Sequence, residues 1–178
     1  MFDGLRLRTG LAYSRFHFRR QKDGATRFSS ALSRSRRALV ILPERPVAAQ
    51  DLSEILSYLS RRFSADAIVY VVREDLSTTL PPEISKQVST YAFEDLTSFF
   101  TPRATLLRRL KSSTFDVAFD LNRDFFLPSA FLCKASSAAI RVSFTKDHAD
   151  AFYNLQVRTH GSTSQNAYAH LLKCLDMF

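Results

Sequence analysis

The chain has 178 residues, 46% hydrophobic and 24% charged, with a formal net charge of +8 and a pI of about 9.9. This length suits one domain with a proper core, and the composition excludes a disordered or fibrous chain. Its four glycines argue against a phosphate-binding enzyme, because such loops need glycine where the backbone approaches the ligand.

Targeting signals are weak in this sequence. No run approaches the roughly 20 apolar residues of a membrane span, and arginines interrupt the N-terminus too often for a signal-peptide core. We therefore expect a cytoplasmic protein, either free or peripheral on the cytoplasmic face of the inner membrane. Its positive charge suits an acidic protein, an anionic membrane surface or nucleic acid, or serves only as a basic, solvated surface.

Residues 1–22 predict a basic amphipathic helix with two apolar faces, although Gly10 weakens the helix prediction. One face carries Phe2, Leu5, Ala12, Tyr13 and Phe16, and a roughly opposite face carries Leu7, Leu11 and Phe18. One face of such a helix packs on the domain while the other meets a partner or lipid headgroups; alternatively, a loop covers the second face.

Residues 23–36 are rich in Ser, Gly and Arg and predict a linker. Arginines continue through it up to the first strand. We predict a partner-binding surface on the N-terminal helix and this linker, formed by Leu7, Arg8, Leu11, Arg15, Phe18, Arg19, Lys22, Arg34, Arg36 and Arg37.

Residues 37–178 form a single predicted α/β domain. Apolar runs typical of buried parallel strands lie at 38–42, 67–72, 88–93, 115–121, 138–144 and 154–158. Helical patterns follow the first, third, fourth and last of them. The alternation predicts a three-layer Rossmann-like sandwich with a mostly parallel sheet and right-handed crossovers.

Local signals mark the ends of several helices. Thr101-Pro102 predicts an N-cap followed by proline in the first turn, and Pro128 is tolerable in the first turn of the crossover helix. Pro81-Pro82 marks a loop, and residues 161–164 predict the cap of the last helix.

In a parallel sheet, ligands bind at the carboxyl ends of the strands where the strand order reverses. The loops Pro43–Gln50 and Asn122–Phe126 are expected to lie there. Glu44 or Asp51 would be the candidate general base, but a loop glutamate and a first-turn helix aspartate are simpler interpretations.

The sequence gives little support for a metal site, a nucleophile or a nucleotide-binding motif. Asp116 and Asp120 would lie more than ~10 Å apart on a strand, Asp124 is better explained as a helix cap, and the single His148 among flexible acids has no ligand spacing. Cys133 and Cys174 are typical of small, reduced core residues. No Walker, Rossmann-glycine or nucleophile-elbow motif occurs. We predict no catalytic residue, cofactor or metal.

The stretch FDVAFDLNRDFFLPSAFLCKASSAAIRVSF resembles the N-terminal half of the family 9 glycosyltransferases, the heptosyltransferase-like enzymes of the GT-B fold. The matching positions are Asp120-Leu121-Asn122 and Arg141-Val142-Ser143-Phe144; Phe152-Tyr153-Asn154 and the closing HGSTSQNAYAHLLKCLDMF add to the likeness over residues 37–178. The resemblance implies a GT-B half-domain. It also implies a Gly-Asp loop after the first strand, but Pro43–Gln50 has no glycine, and the chain ends where the donor-binding half would begin.

Three functions follow from these observations. The first is a non-catalytic interaction or scaffold subunit of a larger, membrane-associated assembly, with an acidic partner. The second is a glycosyltransferase half in cell-envelope glycan synthesis, completed by a separate donor-binding chain. The third is nucleic-acid binding, because residues 15–20, RFHFRR, interleave aromatic and cationic side chains.

Overall fold

The computed structural model describes residues 2–21, 23–24, 28–80, 84, 87–159 and 164–177. Its strands are β1 (Ala38–Ile41), β2 (Ile68–Arg73), β3 (Val88–Tyr91), β4 (Val117–Asp120), β5 (Ile140–Phe144) and β6 (Leu155–Val157). They form one sheet in the order β3-β2-β1-β4-β5-β6, and every neighbouring pair is parallel. This is the strand order of doubly wound Rossmann folds, so the predicted fold class is confirmed.

The helices are α1 (Phe2–Phe18), α2 (Phe28–Arg34), α3 (Ala49–Arg62), α4 (Ala104–Lys111), α5 (Leu127–Ala135) and α6 (Ser164–Leu175). The strands are apolar on both faces because each face has a helical layer. Val40 and Leu42 point into the core shared with α3 and α6, whereas Leu39 and Ile41 point into the core shared with α4 and α5. The N-terminal helix α1 joins the second layer, beside α5.

Two predicted helix signals were wrong. The N-cap of α4 is Arg103, not Thr101, and the Thr101 hydroxyl instead bonds the Thr97 hydroxyl at 2.8 Å within a tight turn. The N-cap of α5 is Phe126, while Asp124 pairs with Arg45 at 3.0 Å. Pro128 does lie in the first turn of α5. Thr101 is therefore held by a contact within its own turn, and Asp124 by a partner in another loop.

The predicted linker 23–36 contains α2 and is attached to the domain. Leu32 belongs to the core under α3 and α6, and Arg62 Nη2 donates to the Leu32 and Ser33 carbonyls at 3.2 and 2.7 Å. The Asp116 carboxylate accepts the backbone N–H groups of residues 36 and 37 at 2.8 and 2.9 Å. The predicted features at Pro81-Pro82 and at residues 161–163 lie outside the described residues.

Candidate functional site

The strand order reverses between β1 and β4, and two loops meet there, as expected from the sequence. The Glu44 backbone N–H donates to Asn122 Oδ1 at 2.7 Å, which ties the loop after β1 to the loop after β4. Outside this contact is an open cavity of about 240 Å³, below the usual range of small-molecule sites of roughly 300–1,000 Å³. A cavity therefore exists at the edge where such folds bind ligands, but it is small.

Glu44, the candidate general base, is turned into the protein and only 6% exposed. Its Oε1 accepts hydrogen bonds from the Tyr91 hydroxyl and from Ser129 Oγ, the latter at 2.7 Å. Its Oε2 accepts from Arg73 Nη1 at 3.2 Å, and Arg73 also makes a two-pronged ion pair with Asp75. Both carboxylate oxygens are thus occupied by the protein itself, and a substrate cannot reach them.

A second buried network covers the ends of β4 and β5. Asp120 Oδ2 accepts from Lys146 Nζ at 2.9 Å and from the Tyr153 hydroxyl, while Oδ1 accepts from Asn122 Nδ2 at 2.7 Å. Lys146 Nζ also donates to the Asn122 carbonyl at 2.7 Å. Asn122 belongs to both networks, so side chains from five adjacent strands and their loops cover the carboxyl edge of the sheet.

The two tyrosines of these networks donate to the carboxylates. Burial, reinforced by the Glu44 carboxylate, raises the pKa of Tyr91, and burial together with Asp120 raises the pKa of Tyr153. Both phenols are therefore protonated at neutral pH and satisfy the carboxylates, as buried charges require. The arrangement stabilises the fold, because each buried carboxylate is satisfied by donors of the protein itself.

The rim of the cavity carries charge that is already paired. Arg45 bonds Asp124 across it at 3.0 Å, with both side chains largely exposed, and the Arg45 guanidinium lies 5.7 Å from the Phe126 ring centroid. Among the described residues, no group of three or more His, Cys, Asp or Glu side chains is placed to hold a metal ion. Cys133 is buried and Cys174 partly buried, and both are free thiols.

Helix α1 docks by the face that carries Leu7, Leu11 and Phe18. Leu11 is buried, and Leu7 and Phe18 pack partly buried against the same core. The Phe18 ring lies 4.7 Å from that of Phe131 in α5. These three residues were predicted to bind a partner, but their side chains contact the domain. A partner surface on α1 is therefore restricted to its outer side.

Gly10 marks the closest approach of α1 to the domain. A Cβ there would overlap the Phe99 carbonyl oxygen and the Leu127 side chain, inside the 3.0 Å that real Cβ atoms keep. Nearby, Arg6 Nε donates to the Ser98 carbonyl at 2.6 Å and its guanidinium lies 4.2 Å from the Phe100 ring centroid. The glycine that weakens the helix on propensity is the residue that lets it dock.

The direction of α1 follows from its contacts with α5. Gly10 lies against Leu127 at the start of α5, whereas Gln21 Nε2 donates to the carbonyl of Lys134 near its end. Helices that connect parallel strands run antiparallel to them, so the last turn of α5 lies at the amino edge of the sheet. The end of α1 lies at that edge too.

Cations accumulate at the amino edge. Asp23 is held there between Lys134 Nζ at 3.0 Å and Arg141 Nη2 at 2.6 Å, both buried, and residues 34–37 enter β1 from it. Arg109 also ends α4, but it pairs with Asp95 at 3.0 Å. The other exposed cations that end helices or precede β1 at this edge are Arg15, Arg19, Arg20, Arg34, Arg36, Arg37, Arg61, Arg62, Arg108, Lys111 and Lys173. We call this set the basic edge.

No cation of the basic edge makes an ion pair within the described residues. Three cations near the carboxyl edge differ, because Arg45, Arg73 and Lys146 each have a carboxylate within 3.2 Å. Five of the ten predicted partner-binding residues belong to the basic edge. Arg8 is exposed on α1, and Lys22 lies outside the described residues.

Sequence reasoning left six cations of the basic edge out of the partner surface: Arg20, Arg61, Arg62, Arg108, Lys111 and Lys173. Each follows or lies in the last turn of its helix, where a cation interacts favourably with the helix dipole. The sequence therefore contained the signal for these residues, namely cations at the ends of several helices. In a parallel fold, helix ends that are far apart in sequence share one edge of the sheet.

The fold and the site define a Rossmann-like α/β protein whose carboxyl edge is closed by its own side chains. Neither a scan against protein-family models nor a search of curated proteins found a match to the chain. In the described residues, no helix combines the length and apolar character that crossing a membrane requires.

Proposed function

We propose that this protein is a non-catalytic interaction subunit that binds an anionic partner through the basic edge. The observation that carries the proposal is the difference between the two edges of the sheet. At the carboxyl edge Arg45, Arg73 and Lys146 pair with carboxylates of the chain itself, and Arg103 and Arg158 are exposed without an ion pair within the described residues, whereas the basic edge gathers a larger set of exposed cations that lack one there. Unpaired like charges repel one another, so a partner that neutralises them is stabilised.

The closed carboxyl edge supports the non-catalytic part of the proposal. A family 9 glycosyltransferase half-domain would use this end of the sheet, and we propose that the chain retains that architecture without the activity. Glu44, which follows β1 where that family carries its aspartate, has both carboxylate oxygens occupied by Tyr91, Ser129 and Arg73. Nucleotide-sugars should therefore produce no thermal shift, and a clear shift would overturn this part of the proposal.

Point substitutions test the basic edge better than removal of residues 1–22. Deletion would uncover Leu127 and Phe131, which α1 covers, and would confuse loss of binding with loss of folding. The test variant is therefore the triple substitution Arg15→Glu, Arg19→Glu and Arg20→Glu on exposed positions. Its matched control, Arg45→Glu, Arg123→Glu and Arg158→Glu, makes the same charge change after the carboxyl ends of β1, β4 and β6.

Native purification followed by identification of co-purifying molecules provides the measurement. We expect the wild type and the control to retain the same partner, and the triple variant of the basic edge to lose it while circular dichroism shows an intact fold. Equal recovery of that partner by both variants would overturn the proposal. So would a partner lost only from the carboxyl-edge control.

A further inference from the structure

The outer side of α1 carries an apolar ridge that the domain leaves uncovered. Leu5, Ala12 and Phe16 are spaced at i, i+7 and i+11, so they lie along one line of the helix, opposite the docked residue Leu7. Leu5 is 64% exposed and Phe16 is 61% exposed, and Tyr13 beside them is 48% exposed. We call Leu5, Ala12 and Phe16 the α1 ridge.

Arginines follow the ridge along its length. Arg8, Arg15 and Arg19 project along one flank of it, and the Arg19 guanidinium lies 3.9 Å from the Phe16 ring centroid. The only acid of α1 is Asp3, whose carboxylate lies 3.5 Å from Arg6. The segment 101–114, which contains α4 in the same helical layer, has no acid at all. The surface around the ridge is therefore positively charged over two helices.

We propose that the partner of this surface is an anionic lipid bilayer, with the α1 ridge in the headgroup layer and the flanking arginines on lipid phosphates. This inference rests on the proposed function and names its partner. Guanidinium groups bind phosphate oxygens through two parallel hydrogen bonds, and the exposed Leu5 and Phe16 side chains beside them would enter the headgroup layer.

The exposure of the ridge favours a bilayer over a protein. Leu5 and Phe16 are 64% and 61% exposed, so their side chains extend into solvent. A protein partner needs a groove of matching shape, whereas lipid headgroups rearrange around protruding side chains. Docking by Leu11, Phe18 and Gly10 keeps α1 parallel to the protein surface, so only its outer side chains enter the lipid. Binding is thus shallow and reversible.

Vesicle sedimentation tests the inference with the full chain. Vesicles of equal parts phosphatidylcholine and phosphatidylglycerol should bind the protein, and vesicles of phosphatidylcholine alone should not. Substituting both Leu5→Ser and Phe16→Ser should weaken binding at least about tenfold, since each buried apolar side chain contributes to the affinity. Each arginine of the flank changed to Gln should weaken it about fivefold.

Phe93→Ser is the matched control, because Phe93 is also 61% exposed but lies after β3, over Arg73. It should bind vesicles as the wild type does. Absence of binding to anionic vesicles, or equal loss in the Phe93 control, would overturn the inference. Retention of an oligonucleotide without vesicle binding would also overturn it.

The outcome separates this inference from the proposed function. If vesicles do not bind but the Arg15, Arg19 and Arg20 triple variant loses a co-purifying acidic protein, the bilayer is wrong and the interaction subunit stands. If vesicles do not bind and that variant loses nothing, both are wrong.

Discussion

The substitution Gly10→Ala, which adds a single methyl group, tests how α1 docks on the domain. A Cβ at this position meets the Phe99 backbone carbonyl on one side and Leu127 on the other, at distances that real structures avoid. Only the Leu127 side chain is free to rotate away, so Gly10→Ala forces α1 off the domain or shifts the turn around residue 99. Phe100 follows in a left-handed conformation with φ of 61°, which limits the freedom of that turn to adjust.

The magnitude follows from two opposing terms. Overpacking costs typically about 1–3 kcal/mol, whereas replacing glycine by alanine within a helix gains at most about 1 kcal/mol. We expect Gly10→Ala to lower the free energy of unfolding by about 1–2 kcal/mol. For a chain of this size each kcal/mol corresponds to roughly 2–4 °C in Tm.

Gly4→Ala is the matched control in the same helix. A Cβ at residue 4 has nothing within 4 Å, so this variant receives the helix-propensity gain without the overlap. Urea unfolding followed by circular dichroism should show Gly4→Ala as stable as the wild type or more, and Gly10→Ala clearly less. If Gly10→Ala is stabilised as much as Gly4→Ala, the docking of α1 described above is refuted.

Three further perturbations test the buried contacts, each by the free energy of unfolding. Lys146→Met leaves the buried Asp120 carboxylate without its cation and should cost about 3 kcal/mol; adding Asp120→Asn should recover much of the loss, and a neutral single variant would contradict the network. Glu44→Ala leaves two buried hydroxyls without an acceptor and should cost about 2–5 kcal/mol, whereas Glu44→Gln keeps an acceptor and should cost less; equal losses would argue against these bonds. Burial raises the pKa of Asp23, but ion pairs with Arg141 and Lys134 outweigh it and hold the pKa below its ordinary value of 3.8. The resulting stability is present above that pH and lost as pH falls through the lowered pKa, so the gap between wild type and Asp23→Asn should close only below pH 3.8; a gap that closes near neutrality would exclude the assignment.

The class of fold was readable from the sequence because burial on both faces leaves a distinct pattern. Runs such as Ala38–Ile41 and residues 68–72 are nearly uniformly apolar, as central parallel strands are. Amphipathic segments between them supply the crossovers. Helix-cap signals were less reliable where another contact holds the side chain: Thr101 bonds Thr97 within its own turn, and Asp124 pairs with Arg45 from another loop.

The docked face of α1 was not decided by its sequence pattern. Its two apolar faces are comparable in size, so a helical wheel does not show which of them packs on the domain. The choice depends on Gly10, whose missing side chain lets one face approach Phe99 and Leu127 closely. That closeness buries Leu11 and leaves Leu5 and Phe16 in solvent.

The sequence by itself determined that cations end several helices, since each stabilises the carbonyl end of its own helix dipole. Only the tertiary structure decided that these ends become one surface. Parallel strands require every connecting helix to return antiparallel, which brings Arg61 of α3 and Lys111 of α4 to the same edge as Arg37. Charges that are separate local features along the chain thereby lie together in space.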